Sequence, residues 1–400
     1  MKIPRAFKTQ LHTNHKQETH FRQCAGTARF VFNWALADRI ERYEQGLKTN
    51  KYEQKKRFNA SKPAWIRDYP YTILEQEFEN VDSAYKNFFG RIKKGEEEKG
   101  FPKFKSKHTD AKAFTLRGGI RVERDRIKLP KIGWVKLAER NYLPKGKVKI
   151  LSANISERAG KWYVSVQVEQ DVPEPQSEGT KIVGVDLGIK TLVTCSDGKT
   201  FENPKALAKH ERKLKRLQRE FSRRIKGSHN RAKTKAKQAK CHFKISNIRK
   251  HAIHEATSYL TKTKSIRTIV IEDLNVSGML QNHHLAKSIG DASFGELRRQ
   301  IEYKSLWRGK QVVIADRFYA SSKLCSACGS KNTKLQLSDR SWVCMNCGVL
   351  HDRDENAAKN LELYAGRKQH PSACGVTMPE DCTVKQEVSS RTLSVSLTDP

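Results

Sequence analysis

Acidic side chains are scarce in this chain: 43 Asp and Glu stand against 78 Lys and Arg over 400 residues, a formal charge of +35. A surplus of that size repels itself unless a polyanion neutralises it. Basic residues recur along most of the sequence, so nucleic acid is the expected partner. A ribosomal-type basic protein and a binder of acidic membranes are the weaker readings. Also missing is any apolar run near the ~18 residues needed to span a bilayer. The opening MKIPRAFKTQ has no apolar core of the signal-peptide kind. The expectation is a cytoplasmic, nucleoid-associated protein with no membrane contact. No disulfide framework is evident either. Nine cysteines are an odd number in a long chain, and four fall in two tight pairs, which points to metal binding in a reducing compartment.

What is present is enough to fold. Hydrophobic residues make up 37% and aromatics 8%, and the length suggests two or three domains. Residues 1–15 and roughly 112–170 read as β-structure. The alternation from Val148 to Val172 predicts a hairpin turning at Arg158-Ala159-Gly160. Between them lie two helical stripes, Phe30, Val31, Trp34, Ala37, Ile40 and Ile73, Leu74, Phe78, Val81, Tyr85, Phe88, Phe89. Both are expected in the core, with Arg29, Arg39, Lys86, Arg91 and Lys93 on their charged faces. Tyr85 and Trp134 are expected to pack in the core rather than stack on bases. VPEPQSEG, Val172 to Gly179, reads as a linker.

The second half changes type. KIVGVDLGIK is a strand ending near an Asp. Residues 203–260 have helical spacing broken at Lys226–Asn230, and residues 201–250 carry 18 Lys or Arg against three Glu. So few acids leave little for helix-stabilising ion pairs, and a phosphate-tracking surface is expected, with Arg212, Lys213, Arg216, Arg223 and Arg224 as candidate contacts. SIRTIVIEDLN is a buried-type strand, 292–308 an amphipathic helix and 311–319 another strand. The polar stretch from Gly366 to Pro400 is expected to be disordered.

Cys325-Ser-Ala-Cys328 and Cys344-Met-Asn-Cys347 form two CxxC knuckles, each followed by glycine, Gly329 and Gly348. This spacing can gather four thiolates around one Zn²⁺, and a site fully ligated by protein is structural rather than catalytic. Cys24, Cys195, Cys241, Cys374 and Cys382 lack such spacing and read as ordinary residues.

Three carboxylates stand out by position: Asp186 and Glu272 at the ends of apolar strands, and Asp354 at the start of a helical pattern. Phosphodiester cleavage gathers such groups, because two Mg²⁺ about 3.5–4 Å apart can clamp the attacking and leaving oxygens and Mg²⁺ prefers oxygen ligands. Spacing alone leaves Asp273, Asp291, Asp352 and Glu355 open as alternatives.

GVDLGIK, IVIEDLN, CSACG…CMNCG and HDRDENAAKN, in that order, resemble the nuclease half of TnpB proteins, which are encoded by insertion-sequence transposons and related to the miniature type V CRISPR nucleases. GTARFVFNWAL, AYKNFF, GFPKFK and IKLPKIGWVK resemble the N-terminal half, so the likeness runs from about residue 1 to 365. It implies a multidomain α+β chain. A wedge β-barrel would occupy 1–15 and 112–171, a helical recognition domain 16–111 and a linker 172–180. A RuvC-like nuclease domain of RNase H fold would occupy 181–320 and 350–365, with a zinc ribbon inserted at 321–349 and a tail at 366–400. It implies a catalytic, metal-binding triad of Asp186, Glu272 and Asp354. The family's Asp-x-Asn-Ala-Ala pattern, matched by Asp354 to Ala358, selects Asp354 over Asp352. It further implies two Mg²⁺ ions, with Mn²⁺ as a substitute, and one structural Zn²⁺. The implied partners are a guide RNA from the transposon right end and double-stranded target DNA, in a monomeric ribonucleoprotein. A short motif beside the target would be read by residues including Tyr71, Glu75 and Thr115. The alternatives are a CRISPR-associated miniature type V effector and a non-cleaving regulator, and the intact triad disfavours the latter.

Overall fold

The computed structural model describes residues 2–107, 112–144, 148–171, 178–336 and 338–369. The chain opens with strand β1 (Lys2–His12), helices α1 (His15–Glu44) and α2 (Lys51–Ser61), a short 3-10 turn and α3 (Tyr71–Lys93). Six strands follow: β2 (Ala113–Leu116), β3 (Arg121–Val122), β4 (Arg126–Leu129), β5 (Gly133–Leu137), β6 (Lys149–Arg158) and β7 (Lys161–Asp171). With β1 they form one antiparallel sheet, ordered β2-β6-β7-β1-β5-β4-β3. The hairpin β6–β7 turns where the alternation placed it. Ala159 and Gly160 both take positive φ, 53° and 81°, the twist a two-residue hairpin loop requires.

The helical stripes are only partly as the periodicity suggested. In α1 the buried face is Phe21, Cys24, Ala25, Ala28, Val31, Phe32, Ala35 and Leu36, while Phe30 and Ala37 are exposed. The buried face mixes Phe21, Val31, Phe32 and Leu36 with a cysteine and alanines, so bulk alone does not mark it. In α3, Ile73, Leu74, Phe78 and Val81 are buried and Tyr85 packs at the core margin. Beyond it Phe88 and Phe89 leave the core, Phe88 packing on Phe101 and Phe89 on Tyr85 and Phe88. Arg39, expected on the charged face, turns inward to Asp82 (3.4 Å) and Gln54 (3.0 Å) and lies over the Tyr85 ring.

The second sheet is built from β8 (Lys181–Asp186), β9 (Thr191–Cys195), β10 (Thr200–Glu202), β11 (Ile266–Glu272) and β12 (Gln311–Ala315). Between them run α4 (Ala206–Arg223), α5 (His229–Lys262), α6 (Val276–Gln281), α7 (Ala286–Ala292) and α8 (Phe294–Leu306). The order is β10-β9-β8-β11-β12. The first three strands are antiparallel neighbours, and β11 and β12 join parallel to β8. The strand expected over 311–319 stops at Ala315, because Asp316 starts a turn by accepting from Phe318 N (2.8 Å). Last come the small hairpin β13 (Ser341–Val343) with β14 (Leu350–Asp352), and helix α9 (Arg353–Gln369). Residues 366–369 are therefore helical rather than part of a disordered tail; 370–400 and most of the expected linker, 172–177, lie outside the described residues.

Strand alternation divides this sheet into two faces. Val183, Val185, Ile269 and Ile271 pack with Ile253, Ala256, Leu260, Leu297 and Ile301 of α5 and α8. Ile182, Val270, Val313 and Ala315 face the other way, onto Leu361 and Ala365 of α9. No helix of the described residues is long and apolar enough to cross a membrane.

Candidate functional site

Asp186 and Glu272 are the last residues of β8 and β11. Parallel pairing brings Val185 opposite Ile271, so the two carboxylates sit side by side at the strand ends. By alternation both share the α9 face with Ile182 and Val270. Helix α9 lies directly on that face at Gly184. A Cβ there would overlap the Ala358 carbonyl oxygen and come within 2.5 Å of Glu362 N and 2.9 Å of Leu361 Cβ. Ala357 and Ala358 are fully buried. A glycine in the strand and two alanines in the helix thus permit an unusually close approach. One turn earlier, α9 carries Asp354, which meets the sheet where Asp186 ends it.

The electrostatics follow from this convergence. Burial, then repulsion from Glu272 and Asp354, pushes the Asp186 carboxyl well above the usual carboxylate range, with Arg353 opposing. Burial also raises Glu272, against a hydrogen bond from Ser321 Oγ and the charge of Arg353. A buried acid at one strand end, repelled by Glu272 and Asp354 beside it, belongs to an all-oxygen donor set suited to a hard cation. The three acids are not drawn together as tightly as the cysteines: among the described residues, those four are the group whose ligand atoms all lie within 4.8 Å of one another.

The structure assigns other work to the acids that spacing left open. Asp352 caps α9, accepting from Asp354 N and Glu355 N at 3.0 Å each. Asp273 is held by Arg298 (2.7 Å) and Arg317 (2.6 Å), whose hydrogen bonds keep its carboxyl below the usual range. Asp291 is bound by Arg249 (2.6 Å) and Leu207 N (2.9 Å). Glu355 pairs with Lys359 at 2.9 Å. Two arginines at the site had no signal in sequence spacing: Arg353, and Arg340, whose guanidinium lies 3.9 Å from Asp354.

The four cysteines meet as their spacing required. Cys325 and Cys347 sulfurs are 3.6 Å apart, as are those of Cys328 and Cys344. A tetrahedral zinc with Zn–S of about 2.3 Å has edges of about 3.8 Å. Gly329 and Gly348 explain the glycine after each knuckle. Both take positive φ, 77° and 72°, and donate N–H to Cys325 O and Cys344 O at 2.8 Å. Ser330 Oγ lies 3.1 Å from the sulfurs of Cys328 and Cys344 and draws both thiols down, Cys328 to about 5, whereas burial and the neighbouring sulfurs push Cys347 up to about 12. His351, which lies outside both knuckles and had no signal in their spacing, packs at a tilt against Trp342 and brings Nε2 to 3.0 Å from Cys325 Sγ. Cys24, Cys195 and Cys241 are buried and apart from this group.

On α4, Arg212, Arg216, Arg223 and Arg224 line one open groove of about 740 Å³ with Lys215, Arg219 and Glu220. Lys213 lies off that groove, a helical step away. Arg224 is engaged by Glu220 at 2.6 Å. Leu214 and Leu217 hold α4 against Cys241 and Ile245 of α5. Tyr71 is exposed beneath Lys55 and Lys62, Glu75 is ion-paired to Lys55 at 2.5 Å, and Thr115 accepts from Asn154 at 2.9 Å.

Comparison with known proteins finds relatives along nearly the whole chain. A family model described as "Probable transposase" (OrfB, IS605) matches residues 165–283, and one described as "Cas12f1-like, TNB domain" matches 294–361. A third, described as a helix-turn-helix domain, matches 1–48, where the structure has a strand and one uninterrupted helix. The chain is 36% identical to "Putative RNA-guided DNA endonuclease InsQ" of Escherichia coli K12, over 97% of this chain and 98% of that one. It is 34% identical to "Putative RNA-guided DNA endonuclease" of Streptomyces pristinaespiralis, over 98% and 94%. In fold it resembles the protein of a Cas12f1-sgRNA-target DNA complex, with TM-score 0.52 at 13% identity, covering 90% of this chain and 99% of that one.

Proposed function

The chain belongs to the TnpB family of insertion-sequence proteins, and from that premise we propose that it is an RNA-guided DNA endonuclease cutting with Asp186, Glu272 and Asp354. What supports this reading is that Asp186 and Glu272 end paired neighbouring strands beneath α9, and that Asp354, one turn before the α9–Gly184 contact, is among the charges acting on Asp186. In this reading the first sheet is the wedge and α1 to α3 the recognition insert. The second sheet with α9 is a RuvC-like domain of RNase H fold, supported by its antiparallel three-strand run extended by two parallel strands. The cysteine module is an inserted zinc ribbon.

The three carboxylates would hold two Mg²⁺ ions, which supply an activated water and neutralise charge on the phosphate. The chain's own residues do the rest. Gly184 and Ala358 set the depth of α9 and so the place of Asp354. Ser321 orients Glu272. Arg340, more than half exposed beside Asp354, is placed to pair with a scissile phosphate. The α4 groove follows a nucleic-acid backbone, while the target's sequence is read by guide pairing. The guide comes from the transposon end, the complex is a monomeric ribonucleoprotein, and Tyr71, Glu75 and Thr115 belong to the reader of the adjacent motif.

The test is to purify the protein with its RNA and incubate it with Mg²⁺ and a plasmid library randomised beside a guide-matched target. Linearised plasmids sharing one flanking motif are expected. Tight, guide-dependent binding without any cut would favour a non-cleaving regulator instead, and a requirement for a separate repeat-derived RNA would favour a CRISPR-type effector.

Two further outcomes are expected. Reversing Arg212, Arg216 and Arg223 to Glu weakens RNA binding across sequences. The slope of log affinity against log salt then falls by about 0.7 for each single-strand phosphate that is no longer neutralised, read in a filter-binding salt series. Cys325→Ser loses the stoichiometric zinc measured by atomic absorption and lowers the melting temperature, because metal binding contributes directly to folding such a module. Full zinc retention would remove Cys325 from the ligand set.

A further inference from the structure

The short segment that leads into the first knuckle touches both halves of the carboxylate site. Ser321, 3% exposed, gives its hydroxyl to Glu272. Its carbonyl accepts from Asn360 Nδ2 at 2.7 Å, and the same amide donates to Leu324 O at 2.7 Å. One helical turn nearer Asp354, Asn356 donates to Leu324 O (2.6 Å) and accepts from Ser326 N (2.9 Å). Both asparagines are almost wholly buried, at 1% and 3% exposure. Five hydrogen bonds therefore join Glu272, residues 321–326 and α9, and Cys325 lies within the joined segment. Buried amides bonded in this way are rigid, because any movement leaves a polar group without a partner.

Resting on the nuclease reading above, we propose that Ser321, Asn356 and Asn360 are positioning residues. Through them the cysteine module sets the separation between Glu272 and Asp354, and hence the affinity of the carboxylates for divalent ions. The module is then part of the cutting machinery as well as a fold-stabilising insert. Removing an outer partner of a metal ligand generally weakens metal affinity by about 10–100-fold. Ser321→Ala does so by freeing the Glu272 carboxylate to swing. Ser321→Thr keeps the hydroxyl. Asn356→Ala leaves all four cysteines in place and removes two of the four hydrogen bonds between residues 321–326 and α9.

The test is Mn²⁺ binding to the ribonucleoprotein, followed by electron paramagnetic resonance, beside cleavage rate against Mg²⁺ concentration. Wild type and Ser321→Thr are expected to agree. Ser321→Ala is expected to need roughly tenfold more of either ion for half-effect, with guide RNA and zinc content unchanged. Asn356→Ala is expected to move the same way at full zinc content; if it fails to fold, the Ser321→Ala measurement decides alone. Wild-type ion dependence in Ser321→Ala overturns the proposal. Asp186→Ala separates the two ideas: if it still cuts, the nuclease assignment fails, whereas an inert Asp186→Ala beside an unaltered Ser321→Ala sinks this inference only.

Discussion

With Asp186 replaced by alanine, the guide-loaded protein is expected to bind its target and leave both strands whole. Metal-ion stabilisation of a phosphoryl transition state is worth several kcal/mol, so the cleavage rate should fall by ~10³-fold or more. Affinity for RNA should hold, since Asp186 sits at a strand end away from the α4 groove. Stability should move the opposite way. The folded chain raises this carboxyl above its ordinary range, by burial first and by Glu272 and Asp354 next. A raised carboxyl contributes its stability below the ordinary carboxylate pKa and loses it as pH rises through the raised value. In neutral, divalent-free buffer the side chain is therefore a liability, and Asp186→Ala should melt higher than wild type. A variant that cuts at the wild-type rate would remove Asp186 from the site. One that is inert and also melts far lower would have lost its fold rather than its chemistry.

Gly184→Ala is expected to be nearly as damaging, although it adds one methyl group and touches no carboxylate. The new Cβ would collide with backbone atoms of Ala358 and Glu362, which cannot rotate away as a side chain can. Helix α9 must lift. Overpacking of this kind costs ~1–3 kcal/mol, visible as a lower melting temperature. The lift also displaces Asp354, and a misplacement of about 1 Å can cost ~10²-fold in rate. Single-turnover cleavage at saturating Mg²⁺ measures the second effect and calorimetry the first. Wild-type values in both would show that α9 does not rest on Gly184 in solution. Gly188, in the same GVDLGIK string, has a different reason: its Cβ would meet Thr191 O at 2.7 Å in the turn to β9.

Much of this arrangement was legible because it is local. A two-residue hairpin, a pair of knuckles with glycines at left-handed positions and a basic helical pair are each specified by neighbours within a few residues. The sheet alternation that puts Ile182, Gly184 and Asp186 on one face can be read in KIVGVD. The family likeness to TnpB was carried by four such strings in order.

What the sequence by itself determined, then, was the main helices and strands, the clustering of four cysteines and the strand ends on which acids sit. Only the tertiary structure decided which acids face one another: Asp273 is taken by two arginines and Asp291 by Arg249. It also decided which face of α1 is buried, that Arg39 turns inward, and that Ser321, Asn356 and Asn360 tie Glu272, residues 321–326 and α9 together while His351 sits beside Cys325. The physical reason is the range of the forces involved. Periodicity and turn chemistry act along a few residues of chain. Coulomb repulsion, close packing and buried hydrogen bonds act between groups that are distant in sequence, and exist only once the sheet and α9 have closed on each other.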